Sequence, residues 1–161
     1  MGKVSLLAGA ALLTLANAAQ ADLSISNKPT QSMSCSAGVC TATAPKAVLN
    51  VGDLQIMLAS GDVAVKTGAL AKDIAIDQPL TWATTSRLTL DAKDSVVVNR
   101  AVTVTGTGGL TITTNDGGKN GDLLFREKGK IAFWDLQSSL AINGKAYALT
   151  NTFRGLIEAI A

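Results

Sequence analysis

The residues best spaced for chemistry lie in one long polar stretch. Asp116, Asn120, Gly121 and Glu127 fall on positions 1, 5, 6 and 12 of a calcium-loop pattern. Position 3 is Gly118, which has no side-chain oxygen, and both flanks alternate like strands, whereas an EF-hand has a helix on each side. The sequence therefore predicts a long polar loop between two strands and no metal site.

A second set of residues could line one face of a sheet: Asp73, Asp77, Asp91, Asp94, Arg87 and Arg100. Polysaccharide lyases on a coiled β fold use clustered carboxylates for Ca²⁺ and a basic residue that abstracts a proton. The acidic residues here fall in predicted turns, where polar side chains are common. We therefore expect solvated turns, with no catalytic residue and no cofactor.

Composition excludes several classes of function. The 161 residues include no histidine, which excludes Ser-His-Asp and Cys-His nucleophiles and His-ligated metals. The net charge of +2 and the lack of a basic run argue against a nucleic-acid partner. Of the few aromatic residues, Trp82 and Phe133 are expected inside, and Trp134 and Tyr147 are candidates for an exposed patch that stacks on a sugar.

The N-terminus has the three parts of a secretory signal: Lys3, an apolar run over residues 4–16, and Ala19-Gln20-Ala21. Cleavage is predicted between Ala21 and Asp22, with cleavage after Ala18 as the second choice. The apolar run is shorter than the roughly 20 residues that a membrane span needs. We expect an exported mature protein with no integral membrane segment, at the cell surface, outside the cell or in the periplasm.

The two cysteines fit an oxidising compartment. Cys35 and Cys40 are the only pair, and four residues separate them. The spacing is not C-x-x-C, so a structural disulfide is expected, with Gly38 helping the backbone to turn. The surrounding segment, residues 22–46, is rich in Ser, Thr and Ala and is predicted to be an extended, poorly packed leader.

The remainder, residues 47–161, is predicted to form one β domain. A short helix, capped by Asp53 and stopped by Gly61, precedes ten short alternating segments. These segments are 63–65, 74–76, 80–82, 88–90, 96–98, 102–104, 110–112, 123–125, 131–133 and 140–142.

The alternating segments repeat. Shifting residues 73–82 by 22 places almost every apolar residue on an apolar residue of 95–104. The interval lengthens in the polar loop and is expected to be regained, because Ile74 and Leu140 are 66 residues apart. A right-handed parallel β-helix of about four coils, with a short helix at each end, explains this register. The second helix is predicted over 152–160, where it would cover the last coil or lead into further coils. A β-sandwich is the alternative fold.

Residues 47–161 resemble the β-helical passenger regions of filamentous-haemagglutinin-like and autotransporter adhesins. The resemblance is carried by segments 48–54, 60–65, 73–82, 88–91, 108–112 and 139–149. It implies a non-enzymatic, adhesin-like surface module, whole or part of a longer passenger. The implied partners are a host or cell-surface glycan or protein and an outer-membrane transporter. A carbohydrate-binding or lyase-like β-helix is the alternative function.

Overall fold

The computed structural model describes residues 22–151, which form a parallel β-solenoid of about four turns. One helix, α1 (Val51–Ser60), interrupts the strands. The strands are β1 (Asp22–Ser26), β2 (Met33–Ser36), β3 (Val39–Ala42), β4 (Ala47–Asn50), β5 (Val63–Lys66), β6 (Asp73–Ile76), β7 (Leu80–Trp82), β8 (Arg87–Asp91), β9 (Val96–Val98), β10 (Ala101–Val104), β11 (Gly109–Thr113), β12 (Leu123–Phe125), β13 (Lys130–Phe133), β14 (Ser139–Ile142) and β15 (Lys145–Tyr147).

The strands form three sheets, and each of the three full coils contributes one strand to each sheet, whereas the first coil has no strand in the second sheet. The first sheet has the order β12-β9-β6-β1-β4, the second β13-β10-β7, and the third β15-β14-β11-β8-β5-β3-β2. Strands β6 to β14 form three full coils, and every neighbouring pair among them is parallel. Since a β-sandwich is built from antiparallel sheets, the solenoid prediction is confirmed and the alternative is not.

The 22-residue register relates two neighbouring coils: β6, β7 and β8 pair with β9, β10 and β11 at this spacing. Ile76 pairs with Val98, and Leu90 pairs with Ile112, as the repeat predicts. All ten predicted segments lie within strands. The expectation that the register is regained at Leu140 is wrong: this residue pairs with Leu110, so the last coil stays longer than the others.

The core consists of columns of aliphatic side chains that run along the solenoid. Alternate residues of each strand point inward, so β8 buries Leu88 and Leu90 completely while Thr89 between them stays partly exposed. This alternation follows from the period of two in a strand. One column in the third sheet joins successive coils through Cys40, Val65, Leu90, Ile112 and Ile142.

Residues 22–46 are not a poorly packed leader. Strand β1 lies between β4 and β6, parallel to both, and its Leu23 and Ile25 are completely buried. Strands β2 and β3 extend the third sheet. The prediction failed because the first strand is placed out of chain order, which no local pattern reveals.

Helix α1 covers the first coil, as expected for the predicted short helix. Its N-cap is Asn50 and not Asp53: the Asn50 side chain accepts hydrogen bonds from the backbone amides of Gly52 and Asp53. The helix stops before Gly61 as predicted, and Leu54 and Leu58 are fully buried against the coil. It occupies the level of the missing second-sheet strand and contacts β7.

Two antiparallel hairpins end the third sheet. Strands β2 and β3 turn at Ala37-Gly38, and β14 and β15 turn at Asn143-Gly144, all four residues having positive φ. Two-residue turns with positive φ match the right-handed twist of the two strands that they connect. Strand β15 was not predicted, although Asn-Gly after an alternating segment is a hairpin signal. The predicted signal segment 1–21 and the predicted helix over 152–160 lie outside the described residues.

Candidate polar groove on the first sheet

A groove of about 280 Å³ lies on the outer face of the first sheet. Its charged side chains are Asp22, Asp73, Asp77 and Arg126. The parallel register places them: Asp22 pairs with Asp73, and Asp77 and Arg126 each follow the last residue of strands in the same sheet. The small and apolar outward side chains of the strands form the floor of the groove.

Two of the carboxylates hold neighbouring coils together. Asp73 Oδ1 accepts a hydrogen bond from the backbone amide of Ser95 at 2.7 Å. Asp77 accepts one from the Ser24 hydroxyl and one from the Asn99 amide group, both at 2.6 Å. Each bond joins strands on adjacent levels of the solenoid, so these two side chains serve the stacking of the coils.

Asp22 is the exception in the groove. Its Oδ1 is buried and has no hydrogen-bond partner among the described residues. Burial, followed by repulsion from Asp73 and Asp77, raises the pKa of the Asp22 carboxyl, while Lys46 opposes the shift. No pattern of residues singles out this carboxyl as a site residue, since Asp22 is distinguished in the sequence only as the residue after the predicted cleavage.

In the chain with residues 1–21 attached, where Asp22 has no free α-ammonium group, Asp22→Asn is expected to make the protein more stable at neutral pH. A carboxyl whose pKa is higher in the folded state than in the unfolded state favours folding least when it is charged. The wild-type penalty is therefore present above the folded pKa and disappears as the pH falls below about 3.8, the ordinary value for Asp. Urea unfolding of both proteins between about pH 3 and pH 7 measures the difference.

Asp73→Asn is the companion variant, because it removes one of the two repelling charges and keeps a side-chain oxygen for the Ser95 amide. It should weaken the pH dependence in part. If the free energy of unfolding depends on pH in the same way in the wild type and in Asp22→Asn over the whole range, the raised pKa of the Asp22 carboxyl is contradicted.

The other predicted charged residues do not join this groove. Asp91 pairs with Lys66 at 2.8 Å on the third sheet. Arg87 donates to the hydroxyls of Thr111 and Ser139, which belong to the next two coils of that sheet. Arg100 pairs with Glu127. The Asp94 carboxylate lies beside Gly118 of the polar loop. None of these four residues of the set lines the groove that holds Asp73 and Asp77.

The polar loop closes on itself. The Asn115 side chain accepts a hydrogen bond from the Gly121 amide at 2.6 Å and donates one to its carbonyl at 2.7 Å. The hydrogen bond and the charge of Asp91 raise the pKa of the nearby Asp116. Strands β11 and β12 flank the loop, as expected, and no group of three or more acidic or cysteine side chains within residues 22–151 could hold a metal.

The aromatic residues divide as predicted. Trp82 is buried and its Nε1 donates to the Ser86 carbonyl at 3.0 Å, and Phe133 is partly buried in the last coil. Trp134 is 75% exposed. Tyr147 is exposed as well, with the Lys145 ammonium 5.5 Å from its ring centroid. Trp134 is the most exposed large apolar side chain of the described chain and the clearest candidate for contact with a sugar.

The predicted disulfide is present. Cys35 and Cys40 face each other across the β2–β3 hairpin and are bonded. Gly38 has a φ of +78° in the turn, the conformation for which glycine was expected there. Cys40 is completely buried at the end of an inward column, so the bond ties the hairpin to the core.

Known proteins give no family for this chain. No family model, curated protein or solved structure matches it. Within residues 22–151, no helix is long and apolar enough to cross a membrane.

Proposed function

We propose that this protein is an exported β-solenoid module that works by surface contact and not by catalysis. The observation that carries the proposal is the use of the surface charges: Asp73, Asp77 and Arg87 bond to neighbouring coils. A lyase on this fold needs such side chains free and facing one another. The exposed Trp134 supplies a surface on which a glycan or protein partner can pack.

Export is the second part of this proposal. It is supported by the signal pattern in residues 1–21 and by the Cys35–Cys40 disulfide, which is typical of oxidising compartments. The resemblance to adhesin passengers fits both parts, and it adds an outer-membrane transporter as a partner. The mature protein would then act at the cell surface, outside the cell or in the periplasm.

Expression of the full chain in a bacterium with two membranes tests export. We expect the exported protein to begin at Asp22 and to contain no free thiol, by N-terminal sequencing and by mass spectrometry after thiol alkylation. Protein that stays in the cytoplasm with residues 1–21 attached would contradict export. An exported protein with two free thiols would contradict the use of the Cys35–Cys40 disulfide as support for export.

A second candidate function rests on the groove. Asp22, Asp73, Asp77 and Arg126 bring three carboxylates and one cation to one surface, and Asp22 has an unpartnered oxygen. An arrangement of this kind can bind the hydroxyls of a saccharide or move a proton. It favours a carbohydrate-binding or lyase-like protein as the alternative.

One binding experiment separates the two functions. Wild type, Trp134→Ala and Arg126→Gln are tested on immobilised glycans and on cell surfaces, and acidic polysaccharides are assayed for new unsaturated ends. Surface contact predicts that Trp134→Ala weakens binding about tenfold, equal to about 1.4 kcal/mol, with no cleavage by any variant. Cleavage, or binding that is lost only in Arg126→Gln, would favour the groove.

A further inference from the structure

A basic groove of about 540 Å³ lies where the chain passes from the first sheet into the second. Among the described residues that line it, three are cationic and none is acidic. The cations are Arg100, Lys128 and Lys130. They come from the β9–β10 and β12–β13 connections, so two coils bring together charges that form no basic run in the sequence. The register partners Ala101 and Lys130 lie side by side in this groove.

The turn that carries the two lysines is held by backbone hydrogen bonds. The Gly129 amide donates to the Arg126 carbonyl at 2.8 Å, and the Arg126 amide donates to the Val98 carbonyl of the preceding coil at 3.0 Å. Lys128 and Lys130 are both exposed, and neither forms an ion pair with another residue of the described chain. Two ammonium groups are therefore free to bind an anion at a fixed turn.

The outer face of the second sheet leads from this groove to Trp134. Side chains on one face of a strand recur at every second residue, so Lys130, Ala132 and Trp134 share the outer face of β13. The Trp134 amide continues the parallel ladder by donating to the Val104 carbonyl at 2.9 Å. Four residues of extended chain separate Lys130 from Trp134 by about 13 Å. Between them lie only the small side chains of Ala132 and its register partner Thr103.

We propose that this strip binds an acidic polysaccharide, with carboxylate or sulfate groups at Lys128 and Lys130 and a sugar ring on Trp134. The proposal rests on the surface-contact function proposed above and names the class of its partner. Ammonium groups bind anionic oxygens through charge-assisted hydrogen bonds. The exposed indole supplies an apolar surface with one polar edge, on which a sugar ring can pack. An acidic polysaccharide presents charged groups and ring faces along one extended chain.

Two other polyanions fit this surface less well. Nucleic-acid binding draws on a wide basic face, whereas this chain has a net charge of only +2. Three carboxylates, those of Asp22, Asp73 and Asp77, also lie in the groove of the neighbouring first sheet. An anionic membrane attracts a protein by about 1 kcal/mol for each Lys or Arg near it, so two free lysines would bind it weakly.

A double variant of the full chain, Lys128→Gln with Lys130→Gln, tests the proposal. Its matched control is Lys28→Gln with Lys72→Gln, which also removes two charges from exposed side chains but leaves the basic groove intact. The probes are fluorescently labelled polygalacturonate, dextran sulfate and neutral dextran, followed by fluorescence anisotropy. The comparison of polygalacturonate with dextran sulfate shows whether carboxylate or sulfate is preferred.

We expect the wild type to bind at least one of the two charged polymers and not neutral dextran. The Lys128/Lys130 variant should bind about tenfold more weakly, and the control should match the wild type. Binding should also weaken between about 0.01 M and 0.15 M salt, over which the Debye length falls from about 30 Å to about 8 Å.

Three results would overturn the proposal. The first is a wild type that binds neither charged polymer. The second is affinity that is equal in the wild type and the Lys128/Lys130 variant, or that falls equally in both double variants. The third is single-stranded DNA, or vesicles containing phosphatidylglycerol, bound through the same lysines more tightly than either polymer.

Failure of the proposed function would look different. Cleavage of a polymer would contradict surface contact without catalysis, and it would leave the effect of the two lysines unchanged. Binding to cell surfaces that is weakened by Trp134→Ala, but not by the Lys128/Lys130 variant, would support surface contact and contradict the basic groove as its site.

Discussion

Leu90→Asp is expected to prevent the solenoid from folding. Leu90 is completely buried between Val65 and Ile112, in the middle of an inward column. Truncating a buried leucine costs about 2–5 kcal/mol, and a carboxylate there would also be desolvated without a partner. Together we expect these two effects to lower the free energy of unfolding by more than about 4 kcal/mol. This loss approaches the whole stability of an ordinary domain, about 5–15 kcal/mol.

Thr89→Asp is the control for this variant. Thr89 is the adjacent residue of β8, its side chain is partly exposed, and its neighbours in register are Ala64 and Thr111 on the same outer face. Its substitution should change the free energy of unfolding by about 0.5 kcal/mol or less. Circular dichroism during urea unfolding compares the two. Equal losses would mean that β8 does not have one buried and one exposed face.

Gly106→Ala is expected to cost about 3 kcal/mol, as overpacking of a filled site does. Gly106 lies in the turn between β10 and β11, where the backbones of two coils approach closely. A methyl group on its Cα would overlap the carbonyl oxygen of Ala83 on the preceding coil. Because the obstacle is backbone and not a flexible side chain, the coils must separate to make room.

Gly61→Ala provides the comparison. Gly61 follows α1 with an extended backbone, φ 165°, and an added methyl group would meet nothing within 4 Å. Alanine reduces the entropy of the unfolded chain, so this variant should be unchanged or more stable by up to about 1 kcal/mol. Thermal unfolding of both variants gives the difference. A Gly106→Ala protein as stable as Gly61→Ala would disprove the close approach of the coils.

The features that the sequence predicted are those fixed by repetition. A register of 22 residues requires corresponding residues to be neighbours, and so it placed Ile76 beside Val98 and Leu90 beside Ile112. The alternation in each short segment then decided which residues face the core. The same register predicted that Trp82 faces the core, because its counterpart 22 residues later is the inward-facing Val104.

The features that the sequence did not predict depend on contacts between distant or non-repeating segments. Nothing in the residues of β1 indicates that they enter the sheet between β4 and β6, because the same alternation suits any position. The groove was missed for this reason: Asp22 reaches Asp73 and Asp77 only through that placement. The prediction that the 22-residue register is regained at Leu140 was wrong because the polar loop lengthens the last coil and no later segment is shortened to compensate.

Scalar couplings across hydrogen bonds, measured by NMR on the isotope-labelled protein, test the parallel coil most directly. The solenoid predicts couplings from the amide of Asn99 to the carbonyl of Ile76 and from Thr105 to Trp82, over distances of 3.0 Å and 2.9 Å. It also predicts one from Arg126 to Val98, at 3.0 Å. Couplings that instead join the strands of residues 73–133 in reciprocal antiparallel pairs would contradict the coil.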